Sequence, residues 1–146
     1  MTMRHCLVRA IRVHLRKLFF LAAAIFAGGA TDPLADLKSG SAALDARRYS
    51  AAIATLAPLP KRIPKLADYA AWFLASAQFE AQQYAAVEKS LEPVWKQSPP
   101  SPLVARAVIL AARAFGENGQ TKAAVDILRA HYSALPQPQG DLAMAN

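Results

Sequence analysis

At 146 residues the chain has room for one domain, and its single cysteine, Cys6, excludes an internal disulfide. The formal charge of +7 does not mark a nucleic-acid surface. Arg4, Arg9, Arg12, Arg16 and Lys17 all precede Leu18, and from Thr31 onward twelve basic residues face ten acidic ones, a net of +2.

The first thirty residues have the three parts of an export signal: a basic start, the uncharged run LFFLAAAIFAGGA, and small residues at its end. Cleavage after Ala30 puts Gly28 and Ala30 at the small-residue positions. The alternative is an uncleaved anchor, although the run of 13 residues is short of the roughly 20 that span a bilayer. Cys6 precedes the apolar run, so it is not placed as a lipid acceptor. The expected domains are therefore a signal peptide over 1–30 and a helical-repeat domain over 31–146, incomplete at its C-terminal end. Export also argues against a nucleic-acid partner, and a membrane enters only through an uncleaved leader.

Asp32-Pro33 supplies an N-cap and a first helical residue, and Leu34, Leu37, Ser41 and Leu44 carry helical spacing to about Arg47. A second helix starts at Tyr49, with Ala52, Ile53, Leu56 and Leu59 on one side and Pro58 and Pro60 at its end. Next, Leu66, Ala70, Phe73, Ala77 and Ala81 form one stripe, and Tyr84, Val87, Leu91 and Trp95 a second. The stripes meet at the polar turn Glu80-Ala81-Gln82-Gln83, and Leu66 to Trp95 reads as an αα-hairpin. Ser98-Pro99-Pro100-Ser101-Pro102 is a stiff linker whose last two residues restart a helix. That helix runs from Leu103 to Glu117 and stops at Asn118-Gly119. A sixth spans Thr121 to Leu135, with Ala124, Val125, Leu128 and Tyr132 inward. Pro136 and Pro138 break the chain, and Asp141 caps the start of a seventh helix. Either that tail frays, or the chain is the front of a longer one.

Aligning Tyr49, Tyr84 and Thr121, which lie 35 and 37 residues apart, exposes an internal repeat. Seven residues earlier stand Ala42, Ala77 and Ala114; seven later stand Leu56, Leu91 and Leu128. The period is near the roughly 34 residues of tetratricopeptide units. Small Ala on each first helix lets its partner approach, and Leu fills the groove. The fold class is thus all-α: a tetratricopeptide-like solenoid of about three αα-hairpins behind a signal helix.

Candidate chemistry is sparse. His131 lies near a helix C-terminus with no Cys, Asp or Glu at ligand spacing, which favours a surface role over metal ligation. Glu88 and Glu92 sit one turn apart, but Lys89 and Lys96 balance them on a solvated face, and Glu92–Lys96 has the favourable i,i+4 order. No G-x-S-x-G, H-E-x-x-H or glycine-rich phosphate loop occurs, and nothing calls for a metal or cofactor. Trp72 lies beside the inward stripe and is the aromatic best placed to line a binding surface. Arg47, Arg48, Lys61, Arg62 and Lys65 gather at the ends of the second helix, either to meet an anionic partner or as ordinary solvated charge.

The segments ARRYSAAIATLAPLP, LADYAAWFLASAQFEAQQYAAVEKSLEPVW, SPLVARAVILAARAFGENGQTKAAVDIL and LPQP resemble the N-terminal helical superstructure of the soluble lytic murein transglycosylases. They cover most of Leu44 to Pro138. The resemblance implies an exported, periplasmic or secreted protein that works on peptidoglycan, with the helices as a curved frame for a separate lysozyme-like domain. That domain's catalytic glutamate, followed by Ser, has no counterpart in FEAQ, VEKS, LEPV or GENG, so no catalytic residue is carried over. The implied partner is peptidoglycan or an envelope protein. A stand-alone envelope adaptor that binds a peptide in its groove is the alternative.

Overall fold

The computed structural model describes residues 32–135 and 144–145. Every described residue belongs to one compact unit. The export signal over 1–30 and the Asp141 cap lie outside the described residues. Among the described residues all regular structure is helical, with no strand.

Helix α1 (Pro33–Asp45) starts as its sequence requires: the Asp32 carboxylate accepts the Leu34 N–H at 3.1 Å, with Pro33 in the first turn. Helix α2 spans Tyr49–Leu56. It ends just before Pro58, as the two prolines lead one to expect. A single turn, α3 (Leu59–Arg62), follows, then a 3₁₀ turn over Pro64–Leu66. Helix α4 is Ala67–Glu80 and α5 is Tyr84–Ser90. Pro93 cuts the expected Tyr84–Trp95 helix in the same way, leaving a separate turn α6 (Glu92–Trp95). Helix α7 is Val104–Glu117, and α8 (Thr121–Ala130) ends short of Leu135, with a 3₁₀ turn over Tyr132–Ala134.

Each long helix packs on the next long helix: α1 on α2, α2 on α4, α4 on α5, α5 on α7 and α7 on α8. The first helices also touch, α1 to α4 and α4 to α7. A sandwiched helix must be apolar on two sides, which explains the composition of α4. Its Ala70, Leu74 and Ala77 join the core of the first pair, while Ala71, Ala75 and Phe79 join that of the second. Helix α7 divides likewise, with Ala107, Ala111 and Ala114 facing back and Val108 and Ala112 facing forward.

The contact between partners within a pair is set by a small residue nine before the aligned position. A Cβ on Gly40 would lie 2.6 Å from Leu56 Cδ2 and Cγ, so only glycine admits this approach. Ala75 and Ala112 occupy the same place opposite Leu91 and Leu128, each pair sharing one core. Burying each leucine contributes about 2 kcal/mol. The alanines expected to do this, at minus seven, serve another purpose. Ala77 and Ala114 face the preceding pair, and Ala42, with no pair before it among the described residues, is exposed. Leu34, which opens the helical spacing of α1, is 54% exposed.

All three pairs turn through one geometry. Arg47, Gln82 and Gly119 sit in the left-handed region at φ 57°, 60° and 73°. Behind each, two amides bond back in a Schellman pattern. The left-handed residue donates at 2.9 Å to Leu44, Phe79 or Gly116, and the next residue donates at 2.8 Å to Ala43, Gln78 or Phe115.

Candidate functional site

Side chains on α1, α4 and α7 that point away from the second helices form one face. At about 100° per residue, the buried arc of α4 leaves Tyr69, Ser76 and Glu80 on its other side, with Phe73 half-buried at its edge against the core of the first pair. The repeat places Leu34, Lys38, Ser41 and Asp45 there on α1, and Arg106, Arg113 and Glu117 on α7, while the equivalent Leu110 is buried in the core of the second pair. Leu34 and Tyr69 are its most exposed apolar groups, at 54% and 40%. Asp45, Glu80 and Glu117 form a row of carboxylates at the C-terminal ends of the three helices.

The polar groups of this face are partly committed. Ser76 Oγ donates to the Trp72 carbonyl at 2.9 Å, and Ser41 Oγ to the Lys38 carbonyl at 3.0 Å. The Arg113 guanidinium lies 4.7 Å from the centre of the Phe79 ring, which holds its charge over the α4–α7 seam. Such a face offers aromatic and aliphatic contact flanked by both signs of charge, which suits holding a ligand.

The four residues singled out from sequence do not converge. Trp72 is half-buried and packs against the core shared by the second pair and α7, so its ring is mostly a structural wall. Arg47 and Arg48 are exposed at the turn after α1. Arg62 sits against the opposite end of α1, where its Nη1 meets the Asp36 carboxylate at 2.7 Å. Asp36 and Arg47 are separated by eleven residues, roughly 16 Å along α1, so these arginines do not make one anion site. Sequence reasoning passed over Tyr69, whose signal was its position one residue ahead of the inward Ala70.

Elsewhere, Glu92 pairs with Lys96 on the surface, and its carboxyl is held below the ordinary glutamate value by the hydrogen bond and charge of Lys96. The imidazole of His131 stacks on Trp95 at 5.2 Å and 23°. Among the described residues no three His, Cys, Asp or Glu gather as a metal site, and no helix is long and apolar enough to cross a membrane.

A concave feature lies along α7 and α8. It is a cleft of about 450 Å³ lined by Ile109, Ala112, Gly116, Ala124 and Leu128, with Arg113, Glu117 and Thr121 at the rim and Met144 against it. Comparison of the chain with family models, curated proteins and solved structures gave no match.

Proposed function

We propose that the chain is a tetratricopeptide-like solenoid of three helical hairpins that works by holding a partner, as a non-catalytic frame of a lytic-transglycosylase-like envelope protein acting on peptidoglycan. The observation that carries this reading is the threefold recurrence of one turn and one small-residue/leucine contact. Recurrence of that kind builds an extended surface from equivalent helix faces, and such surfaces bind. The face of α1, α4 and α7 is the binding surface in this reading, with Tyr69 its central contact.

Co-sedimentation of the full chain with purified murein sacculi tests it. Retention in the pellet, reduced about fivefold or more by Tyr69→Ala, is expected. A chain that stays in the supernatant at every sacculus concentration contradicts the reading.

A specific feature favours a second reading, an adaptor for an envelope peptide. The face carries Arg106 and Arg113 as well as Asp45, Glu80 and Glu117 beside Tyr69, a mixture that suits a peptide carrying both charges. Retention of envelope peptides with no retention on sacculi selects this alternative.

A further inference from the structure

The cleft beyond α7 and α8 corresponds position for position to places already filled elsewhere in the molecule. In the first pair, Leu37, Gly40, Leu44, Ala52 and Leu56 wall the place where α4 lies. In the second pair, their repeat equivalents Trp72, Ala75, Phe79, Val87 and Leu91 wall the place where α7 lies. In the third, Ile109, Ala112, Gly116, Ala124 and Leu128 line the cleft. The cleft is a helix berth.

Met144 stands against this berth in the register of the earlier occupants. Ala70, Ala107 and Met144 are spaced by 37 and 37 residues, and Ala70 and Ala107 are the back-facing contacts of α4 and α7. Wall and occupant change size together. Phe79 becomes Gly116, Tyr84 becomes Thr121 and Val87 becomes Ala124, so the third wall has lost three large groups. The occupant has grown from Ala107 to Met144, a flexible thioether chain suited to an irregular gap. Met144 and Ala145 are helical, as α4 and α7 are.

We infer that Met144 is a plug at the mouth of the berth of the third pair that partly shields its apolar wall from solvent and from other helices. At 38% exposed, Met144 rests in the mouth of the cleft and is not locked in a core. This inference does not depend on peptidoglycan or peptide binding, because the berth is walled by the third pair and its test uses neither ligand.

The test compares the full chain with Met144→Asp, Met144→Leu, Gly116→Phe and the double variant Gly116→Phe/Met144→Asp. A Cβ on Gly116 meets nothing within 4 Å, so a phenyl ring there enters open berth and restores what Phe79 provides in the second pair. Amide exchange in α8 and binding of a hydrophobic dye are the readouts. Met144→Asp is expected to raise dye binding and to speed α8 exchange by about tenfold. Met144→Leu behaves as the wild type. Gly116→Phe fills the berth, and Met144→Asp then has no further effect in either readout. Self-association that appears only in Met144→Asp also supports the plug. Identical behaviour of Met144→Asp and the wild type overturns the inference, as do additive effects of the two substitutions. Self-association of the wild type that Gly116→Phe abolishes also overturns it, since a second copy would then hold the berth.

Discussion

Ser101 Oγ donates a 2.6 Å hydrogen bond to the Asp68 carboxylate, and both residues are buried. The bond ties the first turn of α4 to the residue that opens α7, since Ser101 Oγ also accepts the Leu103 N–H at 3.2 Å. It joins the second and third pairs at their entry ends. A buried carboxylate that loses its donor keeps the full desolvation cost. Ser101→Ala is therefore expected to destabilise the chain by about 2 kcal/mol in urea unfolding. Asp68→Ala costs a similar amount, and the double variant costs clearly less than the sum. Additive losses would show that the two groups act independently.

The three described glycines predict three different outcomes on substitution by alanine. Gly40→Ala drives a methyl into the fully buried Leu56, and even after the helix-propensity gain it is expected to cost about 1–2 kcal/mol. Gly119→Ala meets open space, but its φ of 73° makes it cost about 1 kcal/mol. Gly116→Ala is helical and open, so it stabilises by about 0.5 kcal/mol. Thermal midpoints of the three variants check this ordering.

Arg47 and Gln82 hold left-handed conformations without being glycine. Arg47→Gly and Gln82→Gly are each expected to stabilise by about 0.5–1 kcal/mol, the relief of αL strain outweighing the entropy of a freer unfolded chain. A fall in the melting temperature of both variants would mean that these arginine and glutamine side chains contribute contacts beyond the turn.

Glu92 titrates below the ordinary glutamate value because Lys96 holds it first by hydrogen bond and then by charge, with Lys89 adding a little. A depressed folded-state value means that the pair's small contribution is present above the ordinary glutamate value and is lost as pH falls through the depressed one. Carboxyl-carbon NMR of Lys96→Met should move Glu92 upward. An unchanged titration would assign the shift elsewhere.

The turns show where legibility ended. Asn118-Gly119 announces its left-handed residue by composition, whereas Arg47 and Gln82 do not, because an L-residue in that conformation leaves no compositional trace. Only the alignment of Tyr49, Tyr84 and Thr121 could have carried the geometry across. The same alignment located the repeat but chose the wrong small residue for the contact within each pair. Ala42, Ala77 and Ala114 are uniform, and Gly40, Ala75 and Ala112 are not; which side a helix turns to its partner depends on what lies on its other side. Pro93 was passed over because the stripe from Tyr84 to Trp95 stays in phase across it. For the candidate face, Trp72 is expected outward because it lies beside the inward stripe, yet its ring packs against the core of the second pair. Tyr69, one residue off the buried stripe, is left at the surface.

The most direct measurement of the proposed function is an amide-shift titration of the isotopically labelled chain with soluble peptidoglycan fragments. The expected result is a set of shifts that saturates and is confined to Tyr69, Phe73, Ser76, Arg106, Arg113 and their neighbours. Shifts confined to α5 and α8, or a spectrum unmoved at the highest fragment concentration, would contradict it.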